Sequence, residues 1–412
     1  MNIVIFSGGR GNKNLLKSLQ EPFPNFLKKV QVVVNGLDDG ASTGAIREMF
    51  GDSTHGISDF LKVAVAMSPN EELVNILNER FPTLTSSDEQ LVFSNDLYKF
   101  LFLDVDLPFM GKYKGVDLLK STIKKKILFF VDYFYKKDKF MPNLSDFKLG
   151  NIVFASMLAE NKLDFQKSLV SFMNFCEVDK NKFEIIQSTE TNSYLVGILK
   201  NGSLLPNEAA VVLTRTNDFI SRIYQLPKPL TAADIRNICS IELEDKIHFL
   251  DKCEEIPEAG EEALKAIKNS SALIYGAGTP YSSLLPSLEL KGVADAIKNT
   301  KCPKILVANL VKETSNTISA SDLIKSVLKF LEKSIDDKKD FNPSDFITHV
   351  VIPDDESNLE VSKNFISMNI DEIQSNFKWL NIVSADIRSP HNLEAHDGNK
   401  LKECLFNIVN AN

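Results

Sequence analysis

Two glycine turns, far apart in the chain, each follow a short apolar run. Ile3-Val4-Ile5-Phe6 leads into Ser7-Gly8-Gly9-Arg10-Gly11, and Leu273-Ile274-Tyr275 leads into Gly276-Ala277-Gly278-Thr279. A strand that ends in a glycine turn and restarts as a helix exposes several backbone N–H groups at a helix start, a geometry suited to phosphate. Two such turns imply a ligand with two anionic parts, or one ligand held between sequence-distant segments. Glycine turns after strands also serve structure alone, so each turn taken singly leaves both readings open.

The first turn opens a βαβ pattern. Residues 2–6 and 30–35 read as buried strands, rich in Val and Ile, with a short helix over residues 14–19 between them. The alternation returns late, with strands expected over 273–275, 305–308 and 348–352 and helices over 258–268, 293–299 and 321–332. The fold class is therefore α/β, one doubly wound and mostly parallel sheet built from both ends of the chain. Residues 71–80, 89–103, 115–135, 149–159 and 164–175 read as helices, and a helical insertion is placed at about 70–145. A small β excursion is expected from about Lys182 to Thr214, with Asn201-Gly202 as its hairpin signal. The main domain is expected to cover 1–335, and 336–412 a C-terminal α/β extension on the same sheet.

The chain has 412 residues, a net charge of -8 and 43% hydrophobic residues, enough apolar material for a large core. The acidic balance argues against a general nucleic-acid binder. No apolar run approaches the roughly 20 residues that span a bilayer. The N-terminus enters a strand without a basic leader, so a cytoplasmic protein without membrane contact is expected. Cys176, Cys239, Cys253, Cys302 and Cys404 are scattered and form no CxxC pair, which reads as free thiols. The lysine-rich stretch Lys112–Lys139 reads as the solvated face of a helix. Oligomeric state is not legible, and a homodimer stays open.

Three further patterns carry chemistry. Leu37-Asp38-Asp39-Gly40-Ala41-Ser42-Thr43-Gly44 lies just past the second strand, at the sheet edge where α/β ligands bind. Asp38 and Asp39 are oxygen donors for a sugar, a base or a Mg²⁺ that bridges phosphates, while Asp, Gly and Ser equally make a solvated turn. Arg47 either meets an anionic group or is a surface charge. Gly276-Ala277-Gly278-Thr279-Pro280-Tyr281-Ser282-Ser283 crowds small and hydroxylated residues at a helix start, with Pro280 placed to begin it. Its hydroxyls either cap that helix or donate to phosphate oxygens.

Taken in order, these segments, with Leu149-Gly150-Asn151, Gly292-Val293 and Ala308-Asn309-Leu310, resemble the 2-phospho-L-lactate transferase (CofD-like) superfamily. That superfamily also holds nucleotide-sugar-binding gluconeogenesis or morphogenesis factors. The resemblance runs from the N-terminus to about residue 330. It implies a Rossmann-like fold with the ligand over the sheet's C-terminal edge. It further implies that Gly8, Gly9 and Gly11 line the phosphate path, that Asp38 and Asp39 face the ligand and that Asn151 lies near it. Gly276 and Gly278 belong to the second loop, Gly278, Thr279, Tyr281, Ser282 and Ser283 wrap a phosphate, and Asn309 closes the pocket. Ser42, Thr43 and Gly44 add hydroxyl and backbone donors. Family transferases use a divalent metal, which implies Mg²⁺ at Asp38 and Asp39. The chain departs from the family at Arg10, where a small hydroxylated residue is usual, and at Gly56-Ile57-Ser58-Asp59, where a Gly-Asp-(Ile or Leu)-Arg segment is common.

The function expected from this set is transfer of a phosphorylated group from a nucleotide-diphosphate donor to a hydroxyl acceptor. Asp38 and Asp39 are its catalytic candidates, with Asp39 as base, in chemistry that needs positioning and charge neutralisation more than a protein nucleophile. The alternative is a non-catalytic nucleotide-sugar-binding regulator of carbon flux or cell-wall synthesis that uses the same pocket.

Overall fold

The computed structural model describes residues 1–8, 11–20, 22–51, 54–136, 144–214, 219–312, 319–354 and 365–411. The chain opens with β1 (Asn2–Ser7), α1 (Lys13–Ser18) and β2 (Lys29–Val34). Helices α2 (Ala41–Phe50), α3 (Ser58–Ala66), α4 (Glu71–Asn78), α5 (Ser87–Phe102), α6 (Asp117–Tyr135), α7 (Leu149–Glu160) and α8 (Phe165–Phe175) follow. Then come β3 (Phe183–Gln187), β4 (Tyr194–Leu199), β5 (Leu204–Leu205), α9 (Glu208–Leu213), β6 (Ile220–Leu226), α10 (Ala232–Ser240), α11 (Leu243–Cys253), α12 (Glu261–Lys268) and β7 (Ala272–Tyr275). After a π-helical turn over Pro280–Leu284, the chain continues as α13 (Leu285–Glu289), α14 (Val293–Lys298), β8 (Lys304–Val307), α15 (Ala320–Ser334) and β9 (His349–Pro353). It closes with α16 (Ile370–Asn376), β10 (Asn381–Ala385), β11 (Arg388–Ser389), β12 (Asn392–His396) and α17 (Gly398–Ala411).

These elements form two compact units, Met1–Asp38 with Asp179–Asn412, and Asp39–Val178. In the first, seven parallel strands run in the order β10-β9-β8-β7-β1-β2-β3. The central strands are near-continuous Val, Ile and Leu because a parallel sheet is covered on both faces; Ile3 to Phe6, Val32 to Val34 and Ala272 to Tyr275 are all buried. The order grows outward in both directions from β1 and β7, as the doubly wound reading expects. β9 and β10 come from the C-terminal segment and extend the same sheet. Residues 183–186, read from sequence as part of a β excursion, instead form β3 at the far edge of the main sheet. The excursion proper is the antiparallel sheet β5-β4-β6. Gly202, at φ +85, makes the tight turn between β4 and β5 that Asn-Gly predicts.

The second unit is helical and spans Asp39–Val178, wider than the 70–145 segment read from the sequence. Its axis is α7, buried from Leu149 to Ala159. A helix apolar on every side must lie inside a bundle, and Gly150 admits that packing: a Cβ there would come within 2.9 Å of Leu61 Cδ1 and 3.0 Å of the Leu77 carbonyl. Three lysines of α6 make ion pairs, Lys120 with Asp106 at 2.6 Å, Lys124 with Asp104 and Lys126 with Glu160, and Lys125 is exposed, as on a solvated face. Lys137 and Lys139 lie outside the described residues. The cysteines are free, and no helix among the described residues is long and apolar enough to cross a membrane.

The C-terminal segment is tied to the start of the first unit. Asn14 Nδ2 donates to the His396 carbonyl at 2.8 Å, Ser18 Oγ to the Gly398 carbonyl at 2.8 Å, and Lys402 Nζ to the Ser18 carbonyl at 2.8 Å. His396 itself is buried, and its Nε2 lies 3.1 Å from the Ala308 carbonyl just past β8. Burial pushes its imidazole down to about 4; Arg388 reinforces the shift and the Ala308 carbonyl opposes it. The unfolded chain takes up this proton near pH 6.5 and the folded chain only near 4. The stability tied to the neutral ring is therefore whole above pH 6.5 and falls as the pH drops toward 4, by about 3 kcal/mol in all. His396→Gln should flatten this acid limb in urea titrations run from neutral pH downward; a limb of unchanged steepness would assign the acid sensitivity to other groups.

Candidate functional site

The two glycine turns leave neighbouring strands. β1 and β7 pair in parallel with Phe6 opposite Tyr275, so Ser7-Gly8 and Gly276-Ala277-Gly278 emerge side by side at the same sheet edge. Strand order reverses between β1 and β7, and in open α/β sheets the crevice at such a reversal is where ligands bind.

The turns interlock so closely that side chains have no room. A Cβ on Gly8 would lie 1.8 Å from Ser283 Cβ, and one on Gly11 would lie 2.1 Å from the Ala277 carbonyl. One on Gly276 would lie 2.1 Å from Asn12 Nδ2, and one on Gly278 would lie 2.7 Å from the Gly8 carbonyl. Gly11 and Gly278 are required by backbone meeting backbone, and Gly8 and Gly276 by the Ser283 residue and the Asn12 side chain packed against them, whatever the turns bind. Gly9 and Arg10 lie outside the described residues.

Three buried asparagines hold the arrangement. Asn12 Nδ2 donates to Ser7 Oγ at 3.0 Å, while its Oδ1 has no hydrogen-bond partner. Asn35, at the end of β2, donates from Nδ2 to the carbonyls of Ser282 (3.0 Å) and Ser283 (2.7 Å) and accepts from Leu37 N at 2.7 Å. Asn309, past β8, closes a reciprocal pair with Gly278: its Nδ2 donates to the Gly278 carbonyl at 2.7 Å, and Gly278 N donates to its Oδ1 at 3.4 Å. The ends of β1, β2, β7 and β8 are thereby joined. The π-helical turn begins at Pro280, after Thr279 in extended conformation; such turns recur at functional sites. Ser282 and Ser283 are buried, with hydroxyls 3.5 Å apart. Tyr281 is packed differently from its neighbours: its ring lies edge-on to Phe330 and its hydroxyl is 3.2 Å from Ser326 Oγ, both on α15.

In the helical unit a second polar cluster gathers around α7. Asn151 is the one amide on this mostly apolar axis, and a buried amide demands partners. Its Nδ2 donates to Ser42 Oγ at 2.7 Å and reaches Ser58 Oγ at 3.4 Å. Ser58 also bonds Thr43 Oγ1. The Asn151 Oδ1 has no hydrogen-bond partner, and an orphaned buried acceptor of this kind calls for an explanation. Asp39 Oδ1 lies 3.5 Å from Arg47 Nη1, whose side chain is only 3% exposed. Gly44 faces the Asp39 carbonyl, which a Cβ would approach to 2.6 Å. Asp38, half-buried, ends the first unit and lies three residues past Asn35. Among the described residues no group of three or more His, Cys, Asp or Glu gathers as a metal cage. The donors present are carboxylate oxygens, the chemistry Mg²⁺ takes, although Arg47 already compensates Asp39.

The sequence profile described as 2-phospho-L-lactate transferase CofD matches residues 3–387. The chain belongs to this CofD family. It is 23% identical over 271 residues to a gluconeogenesis factor of Listeria monocytogenes, covering 65% of this chain and 73% of that one. It is 21% identical over 329 residues to a gluconeogenesis factor of Halalkalibacterium halodurans, covering 79% and 73%. A crystal structure of a UPF0052-family protein from Bacillus halodurans superposes with a TM-score of 0.64 at 17% identity, over 98% of each chain. That likeness shows that this CofD chain shares its fold.

Asn12, Asn35 and Ser58 were not singled out in the sequence. Ser58 falls in the segment where this chain departs from the CofD pattern, and that departure was the available signal for it. Asn12 and Asn35 are single amides beside strand ends, with nothing local to distinguish them. Because the atoms facing Gly276 all belong to the Asn12 side chain, Gly276→Ala should destabilise the fold by about 1–3 kcal/mol through overpacking. Asn12→Ala should relieve part of that loss, so a double-mutant cycle in urea should show coupling. Strict additivity would mean that the turns do not interlock as described.

Proposed function

We propose that this CofD-family chain binds a nucleoside-diphosphate-type ligand at the β1/β7 edge, and that binding rather than turnover is its principal act. The observation that carries this reading is the pair of glycine turns, side by side where the sheet reverses its strand order and fixed by Asn309 and Asn35. Backbone N–H groups at such an edge hold phosphate oxygens, and the unpartnered Asn12 Oδ1 accepts from a ligand hydroxyl or N–H. The naming of relatives as gluconeogenesis factors supports a regulator of carbon flux that responds to a nucleotide sugar. The ion pair of Asp39 with Arg47 supports it too, since it engages the carboxylate that a transfer reaction would need free as its base.

Transfer of a phosphorylated group to a hydroxyl acceptor is the second reading, favoured by the family profile's description. In either reading Mg²⁺, which supplies charge neutralisation at phosphates, would be held by Asp38 together with the ligand's own oxygens, since this ion commonly uses one or two carboxylates.

Calorimetry with UDP, GDP and a UDP-sugar, with and without Mg²⁺, tests the pocket. Saturable binding by at least one is expected, weakened about tenfold by Asn309→Ala, which frees the second loop. Asp38→Asn should abolish the Mg²⁺-dependent part. Affinity indifferent to Asn309 would detach the loops from binding, and Mg²⁺ dependence that survives in Asp38→Asn would remove Asp38 from the metal. Release of nucleoside monophosphate from a nucleotide-diphosphate donor in the presence of a hydroxyl acceptor would overturn the binding reading in favour of the transferase.

A further inference from the structure

A groove of roughly 350 Å³ lies in the first unit between β6 and α15, with Tyr281, which turns to α15 after the second glycine loop, in its lining. Its strand wall is continuous from Ile220 to Tyr224, and its helix wall presents Lys325, Lys329 and Lys333, four residues apart on one face. Among the described residues β6 pairs only with β4 and forms the edge of its sheet. The Gln225 carbonyl is turned away from β4, since it accepts from Glu255 N at 3.0 Å. Backbone groups alternate along a strand, so the N–H and C=O of Ile223 point the same way, toward the groove.

The charges in the groove fall into two kinds. Lys333 is tied to Glu254 at 2.6 Å and to the fully buried Glu289, and Arg222 pairs with Asp251 at 3.2 Å. Among the described residues, neither Lys325 nor Lys329 has a carboxylate partner, and both are exposed. Tyr224, 2% exposed, has a hydroxyl without a hydrogen-bond partner. The edge is taken at Gln225 by Glu255 and is open at Ile223, and an exposed strand edge accepts an extended peptide as an added strand; the two uncompensated cations of the facing helix favour acidic side chains on that peptide. A simple anion site would not need the free edge, and the one charge on the strand, Arg222, is neutralised by Asp251.

We infer that the β6–α15 groove binds an extended acidic peptide segment of a partner protein, added as a strand along β6 with its carboxylates meeting Lys325 and Lys329. Main-chain hydrogen bonds to Ile223 give the register, and the lysines select acidic side chains. The inference does not rest on the ligand proposed for the glycine turns, although Tyr281 borders the groove.

The test is fluorescence anisotropy of the full chain with a fluorescein-labelled hexapeptide of alternating glutamate and valine at low ionic strength. Saturable binding is expected, weakened at least about tenfold in K325E/K329E, whose exposed substitutions leave the thermal unfolding curve in place. N-methylation of one alternate set of peptide amides should abolish binding, while methylation of the other set should not. No saturable binding, equal binding by K325E/K329E, or indifference to both methylation patterns overturns the inference. Displacement of the peptide by an equal concentration of citrate overturns it as well, in favour of a small-anion site.

Discussion

The contact on which this fold depends is the approach of two backbones without side chains between them. β1 and β7 are sequence-distant, yet they pair, and the turns that follow them nest backbone on backbone at Gly11 and Gly278, while Gly8 and Gly276 leave room for Ser283 and Asn12. Closeness of this kind is unforgiving, because interiors are packed like crystals and do not yield to an added methyl group. It explains why Asn12, Asn35 and Asn309 are where they are. Turns that shed side chains to meet each other leave backbone groups that need partners, which Asn35 and Asn309 supply with both donor and acceptor, while Asn12 bonds the Ser7 hydroxyl.

The same economy of polar groups shapes the helical unit by itself. α7 is apolar around most of its circumference, interrupted in its buried part by Ser156 and by Asn151, which meets Ser42 and Ser58. Arg47 is buried and faces Asp39. A charge in such a place needs its counter-charge, so the residue read from the sequence as a base is first an electrostatic partner. Of the two adjacent aspartates, Asp39 is paired with Arg47 inside the helical unit, and Asp38 ends the sheet unit.

Strands whose sequences are continuous apolar runs were legible, because burial on both faces leaves a signal that local reading detects: β1, β2, β7, β8 and β9 all lie where Val, Ile and Leu cluster. β6 and β10 were not. Ile220–Leu226 mixes Ser221, Arg222 and Gln225 among its apolar residues, and Asn381–Ala385 is a half-exposed edge strand, so neither shows the pattern of a buried strand. Residues 183–186 had the right pattern and the wrong destination, since an apolar run announces a strand and not its neighbour. At the site, the glycines and hydroxylated residues stood out by composition. Asn12 and Asn35 did not, because an isolated amide acquires meaning only from what folds against it.

By itself the sequence determined an α/β chain with strand–glycine turn–helix units at both ends, a helical middle, and a family likeness carried by ordered motifs. Those properties are local: they follow from periodicity, turn chemistry and short-range capping, which act over a few residues. The tertiary structure decided that β7 lies against β1, that Asn309 reaches Gly278, that Tyr281 turns to α15 and that Asp39 answers Arg47. Such pairings join residues brought together only after crossovers close long stretches of chain. Their energy depends on geometry at contact distance, which a linear sequence does not contain.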